Sequence, residues 1–250
     1  MIVDTHAHLG WDHVFDVEFT AQELVDSQEI NRIDMTLVQP SLTHRLDTVK
    51  TYHDQIASLA KQYPGKFYGM ANPDPHLKTS DYQKEVRRCV RELGFVGVKL
   101  HPFAHAVNPT GRHGQMVFET SFELRVPVMV HTGPGIPWAA PSLLGPTAKK
   151  YPKNSIVVAH AGMMILAGEA IQLATEHANV ALECSWTGGF LIREWVKKLG
   201  PQKILFGSDH ADNAPTELAK FRSLGLSDQE LAWVLGLSAM EIYKLKGPRA

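Results

Sequence analysis

The chain is poor in cysteine: Cys89 and Cys184 are the only two in 250 residues. Two cysteines this far apart make neither a disulfide framework nor a CxxC metal site, which excludes a cysteine-stapled secreted fold and suits a reducing cytoplasm. Long apolar runs are also missing, since none reaches the roughly 18 residues a membrane helix needs. The opening MIVDTHAHLG has no basic start and no apolar signal-peptide core. Charge of one sign is not in excess either. Lys and Arg number 25 against 26 Asp and Glu, a formal net charge of -1, and they are spread along the chain, so neither nucleic acid nor a membrane is an expected partner. The expectation is a cytoplasmic protein with a small-molecule substrate, its assembly into a homo-oligomer left open.

What is present is a recurring short apolar run. Eight of them, at 2–6, 35–40, 66–70, 96–101, 126–131, 155–160, 179–184 and 203–209, read as strands. Helical spacing fills the intervals at 20–31, 47–62, 80–93, 113–125, 141–150, 165–177, 188–199 and 213–224, with two further helices at 227–235 and 238–245. Thr20/Glu23, Ser80/Gln83, Ser227/Glu230 and Ser238/Glu241 have capping-box spacing and mark helix starts. Strand and helix alternating eight times predicts an α/β fold, a single (β/α)8 TIM barrel with extra C-terminal helices, as one domain over residues 1–250. No GxGxxG or GxxxxGK[ST] follows any strand, which argues against an open nucleotide-binding sheet. The segment 132–146, TGPGIPWAAPSLLGP, is expected to form part of a lid over the barrel mouth.

Histidine or aspartate ends strand after strand: His6 and His8, His101, His131, His160 and Asp209. In a (β/α)8 barrel the carboxyl ends of the strands converge on the active site. Alternation puts His6 and His8 on one side of their strand, so both imidazoles can reach one ion. With His131 and Asp209 they form a set suited to one divalent ion, Zn2+ first, with Mn2+ or Fe2+ as alternatives, and a coordination position left for water. Asp209 is expected to accept a proton from that water. His160 is either a further ligand or a general acid/base. Lys99 and His101 share one face of their strand and are candidates for substrate binding. Lys99 also has two other readings, a carbamate bridging two ions or an ion pair with Glu183. Glu183 and Asp4 are expected either to orient a ligand histidine or to form buried ion pairs. His13, His105, His113 and His210 fall in loops at the same end, while His44, His53, His76 and His177 have no expected site role.

DTHAHL at 4–9, GVKLHP at 97–102, VMVHTG at 128–133, VVAHAG at 157–162, LECS at 182–185 and ILFGSD at 204–209 resemble the amidohydrolase-related family of metal-dependent TIM-barrel hydrolases. The resemblance spans almost the whole chain. It implies one divalent ion with ligands His6, His8, His131 and Asp209, and His160 as a catalytic or additional ligand residue, but does not fix the reaction type. The leading expectation is a hydrolase in which metal-activated water attacks a small carboxylated or cyclic substrate, with Asp209 and His160 catalytic. A non-oxidative decarboxylase or hydratase on the same barrel is the alternative within enzymes, and a non-catalytic metal-binding barrel is the alternative outside them. Two departures bear on loops: His210-Ala211 follows Asp209 where an aromatic and a proline are common, and Leu237-Ser238 stands where a Gly-Asn pair is usual. The first makes His210 a candidate for substrate contact.

Overall fold

A computed structural model describes residues 1–247. Among the described residues, strands β1 (Val3–Asp12), β3 (Met35–Pro40), β4 (Phe67–Ala71), β5 (Gly97–Leu100), β6 (Val128–His131), β7 (Ile156–Ala159), β8 (Val180–Glu183) and β9 (Ile204–Leu205) run parallel in sequence order. Thr5 N and Asp209 N donate to Phe206 O (3.2 Å) and His6 O (2.7 Å), which joins the last strand to the first and closes the TIM barrel. The eight strands and eight crossover helices follow the sequence reading.

Period-two alternation sorts the strands' side chains. Met35, Leu37, Met70, Met129, Val157, Ala181 and Leu205 fill the barrel interior, while Val38, Val98, Leu100, Val128, Val130, Val158 and Leu182 face the helices. Ala239, Tyr243 and Leu245, from the C-terminal helical segment, join the interior cluster and plug the barrel's amino end. The extra helices therefore have a packing role, and they leave the opposite end open.

Four local expectations are corrected. Ser80 does not cap its helix, which begins at Thr79 because Lys78 O already accepts from Asp81 N (2.8 Å) and Tyr82 N (3.0 Å). Ser238 is no helix start either. Asp228–Ala232 and Ser238–Ile242 are joined by a π-helical turn at Trp233–Leu237, and Ser238 Oγ donates to Pro201 O (3.0 Å). The first strand runs on to Asp12 and pairs antiparallel with a ninth strand, β2 (Val17–Phe19), through Gly10↔Phe19 and Asp12↔Val17. The helix expected to start at 165 starts at Ala167, after a left-handed turn through His160, Ala161, Gly162, Met163 and Met164. The Thr20/Glu23 and Ser227/Glu230 capping boxes form as their spacing predicts.

His53 is structural, as its position suggests. Its Nε2 accepts the Asn72 N–H (3.2 Å), so the ring proton sits on Nδ1 and is donated to Glu85 Oε1 (2.8 Å). Arg88 clasps the same carboxylate through Nε (3.0 Å) and Nη2 (2.7 Å). Burial alone would raise the Glu85 carboxyl, but the His53 and Arg88 hydrogen bonds outweigh it and hold it down at about 2. Burial also keeps His53 neutral, below its ordinary 6.5.

Glu85→Ala strands three N–H donors on His53 and Arg88 and is expected to cost about 3 kcal/mol in urea denaturation at pH 7. Because Glu85 is depressed in the fold, its contribution is complete above its ordinary 4.5 and is lost as pH falls from there towards 2. The stability gap between wild type and variant should narrow over that window; a constant gap would contradict the assignment.

Candidate active site

The closing seam builds the first half of the site. On β1, His6 and His8 turn into the cavity, while a register shift between Asp4 and Ala7 interrupts the alternation and leaves Val3, not Asp4, in the interior cluster. Asp4 accepts from Ser208 N (2.9 Å), Ser208 Oγ (2.6 Å) and His6 N (3.1 Å), pinning the 207–209 turn to the first strand. Burial pushes its carboxyl up to about 7 against those hydrogen bonds. Asp4 touches no histidine ring, so it positions backbone and does not orient a ligand. Asp209, in the left-handed region at φ 66, brings Oδ1 within 3.1 Å of His6 Nε2 and 3.2 Å of His8 Nε2.

Glu183, fully buried at the end of β8, fixes two histidines. Its Oε2 accepts from His6 Nδ1 (2.9 Å), His160 N (3.1 Å) and Ser185 Oγ (3.1 Å), and its Oε1 from Ser185 N (2.6 Å). Since Ser185 gives its proton to Glu183, its oxygen accepts from His160 Nδ1 (2.8 Å). Both rings therefore carry the proton on Nδ1 and turn an Nε2 lone pair inward. Gly207 makes this possible: a Cβ there would stand 2.6 Å from Glu183 Oε1 and 2.9 Å from His6 Cβ.

This donor set fits a divalent ion. His6, His8 and Asp209 present ligand atoms within 4.8 Å of one another, two nitrogens and one carboxylate oxygen, the chemistry that Zn2+, Mn2+ and Fe2+ take. His8 Nδ1 is buried without a partner. Asp209 is held well below the usual carboxylate range: burial opposes ionisation, but the neighbouring His6, His160 and His8 outweigh it. His6, His160 and Glu183 form a second close group, whose contacts are the tautomer-fixing hydrogen bonds above.

His131 lines the same cavity but stands outside the close trio, its ring stacked on His101 at 3.9 Å between centroids and 14°. His101 Nδ1 accepts the Ala104 N–H (3.2 Å), so its proton sits on Nε2, the opposite tautomer to His6 and His160. Lys99 points inward, with Nζ 2.8 Å from His6 Nε2. Its contacts are with His6 and Met129, not the ion pair with Glu183. Burial lowers its ammonium to about 8, against the Asp209 and Glu183 charges. Burial likewise drives His131 and His101 well below the usual imidazole range and His160 down to about 3, so all three are neutral at pH 7.

Above these groups opens a cavity of about 640 Å³, walled by Phe15, Phe19, Leu42, Phe103, Met163 and Trp186 as well as the polar cluster. Sequence reasoning missed the aromatic wall and Asp12, which lines the cavity too. Asp12 accepts from Val14 N (2.9 Å), Phe15 N (2.9 Å) and Leu42 N (3.0 Å), fixing the turn that carries Phe15. His210 sits on the rim, 3.8 Å from Asp209 Oδ2. From the expected lid, Pro134 reaches the cavity, and Gly135 lets the backbone pass Phe103, where a Cβ would stand 2.7 Å from the ring. His13, His105 and His113 are not among the lining residues.

A closed parallel barrel with imidazoles and a carboxylate gathered at its carboxyl end defines the class. The chain belongs to the amidohydrolase family, whose model matches residues 3–245, and is a metal-dependent enzyme of it. It is similar in fold to a 5-carboxyvanillate decarboxylase from Sphingomonas paucimobilis, at 13% identity and TM-score 0.77 over 98% of this chain and 99% of that one. A dihydroxybenzoic acid decarboxylase from Polaromonas sp. JS666, solved with manganese and 2-nitroresorcinol bound, has TM-score 0.77 and 16% identity over 100% of this chain and 98% of that one. An 83-residue stretch is 35% identical to a 2-keto-4-carboxy-3-hexenedioate hydratase from Sphingobium sp. (strain NBRC 103272 / SYK-6), and spans 30% of this chain but 24% of that protein. No helix among the described residues is long and apolar enough to cross a membrane.

Gly207→Ala should overpack the Glu183–His6 contact and cost about 1–3 kcal/mol in urea denaturation. Gly168→Ala is the control, since a Cβ there meets nothing within 4 Å on an α-helix, and it should be neutral or slightly stabilising. Equal effects would refute the steric account.

Proposed function

We propose that the chain works as one barrel domain and is a metal-dependent non-oxidative decarboxylase of a small aromatic or unsaturated carboxylic acid. In this reading His6, His8 and Asp209 hold one divalent ion, with His131 and His160 beside it. The carrying observation is the composition of the cavity, where the donors Lys99 and His101 stand among Phe15, Phe19, Phe103 and Trp186. Such a site takes a planar apolar body with an anionic end. The decarboxylases of similar fold support the same chemistry.

The neutral His101 donates from Nε2 to the anionic end of the substrate and orients it. The aromatic side chains hold the planar body and exclude water, which favours departure of neutral CO2 over retention of a desolvated carboxylate. The electron pair of the breaking C–C bond stays on the substrate carbon. Lys99 Nζ then gives that carbon a proton and recovers one from solvent. The Nε2 lone pair of His160 faces the cavity and is available to a substrate hydroxyl. A bound divalent ion would supply the Lewis-acid charge that draws electrons from the scissile bond.

The stretch similar to a hydratase favours a second reading on the same residues, with Asp209 taking a proton from water and Lys99 giving one to the adjacent carbon. The hydrolysis expected from the sequence uses this site equally well, but neither the decarboxylase nor the hydratase names support it.

The test is Mn2+-supplemented protein against dihydroxybenzoates, carboxyvanillates, unsaturated keto-acids and lactones, with released CO2 measured directly. CO2 release from an aromatic or unsaturated acid is expected, falling about 100-fold or more in Lys99→Met. Turnover by lactone hydrolysis or water addition without CO2 would overturn the decarboxylase reading.

A further inference from the structure

One residue of the aromatic wall is more tightly specified than a wall requires. Trp186 follows β8 in the left-handed region at φ 59, as does Asp209 at φ 66. Such backbone costs a non-glycine residue about 1 kcal/mol or more, so it persists only where surrounding contacts impose it. Those contacts are present. Trp186 N donates to Glu217 Oε1 (3.0 Å), Thr187 Oγ1 donates to His160 O (2.8 Å), and Ser185 lies in the Glu183 network. The Trp186 ring lines the cavity. There the indole Nε1–H donates to Asp209 Oδ2 at 2.8 Å, and the ring meets His210 edge-on at 5.9 Å between centroids.

The two oxygens of Asp209 are thereby given different work. Oδ1 faces His6 and His8 (3.1 and 3.2 Å), and Oδ2 is occupied by the indole. A carboxylate free at both oxygens can rotate and chelate through either or both. A fixed donor on one oxygen leaves the other as the single ligand atom.

We propose that Trp186 is a positioning residue that holds Asp209 in one-oxygen presentation to the divalent ion. The inference rests on the reading of His6, His8 and Asp209 as ligands. Its consequence is that the tryptophan N–H, and not only the ring, sets the affinity for the ion. The partly exposed ring packs at the mouth as well, so shape and hydrogen bond must be separated.

The experiment titrates purified, chelator-treated protein with Mn2+ and counts free ion by electron paramagnetic resonance, with no substrate present. Three proteins are compared: wild type, Trp186→Phe, and full-length protein carrying 3-benzothienylalanine at position 186, which keeps the bicyclic shape and replaces N–H by sulfur. Both altered proteins should bind Mn2+ about 10- to 100-fold more weakly than wild type. Wild-type affinity in the benzothienyl protein, with loss in Trp186→Phe alone, would reduce Trp186 to a packing role and overturn the proposal. Failure of wild type itself to bind Mn2+ would instead overturn the ligand reading beneath it.

Discussion

The structure depends on the seam where the last strand meets the first. A parallel sheet of eight strands has two raw edges, and each leaves backbone donors and acceptors without partners unless the edges meet. Here Thr5, His6, Phe206 and Asp209 supply the closing backbone bonds, and Asp4 ties Ser208 to β1. The same few residues carry the reactive groups. Closing the barrel therefore sets Asp209 against His6 and His8, and barrel integrity and site geometry are one constraint.

Burial governs the electrostatics. Five imidazoles (His6, His8, His101, His131 and His160), a lysine and two carboxylates share one largely buried volume, so each charge must be answered nearby. The solution is asymmetric. Glu183 stays fully buried by accepting four hydrogen bonds, and by doing so sets the tautomers of His6 and His160. His101 takes the opposite tautomer because a backbone N–H, not a carboxylate, occupies its Nδ1. One end of the barrel thus offers lone pairs on His6 and His160 and a donor on His101, an arrangement able to hold a cation and an anion side by side.

The fold was legible because strand alternation and strand-to-helix spacing are local properties, and the polar strand ends His6, His8, Glu183 and Asp209 came with them. What was hidden depends on competing backbone bonds and on distant contacts. Ser80 and Ser238 have the spacing of caps, but backbone bonds from Lys78 and the π turn at Trp233–Leu237 decide otherwise. Lys99 allowed three readings, of which its contacts with His6 and Met129 set aside the ion pair with Glu183. His131 lines the same cavity as His6 and His8, but its stack on His101 could be seen only in three dimensions. Asp12, Phe15, Phe103 and Trp186 reach the cavity through turns whose course no periodicity encodes.

The central claim is that one divalent ion sits on His6, His8 and Asp209. Anomalous diffraction at the manganese edge, from crystals of the protein grown with Mn2+, tests it most directly. The account predicts one strong anomalous peak within bonding distance of His6 Nε2, His8 Nε2 and Asp209 Oδ1. A peak bound elsewhere in the barrel, or none at full Mn2+ loading, would contradict it.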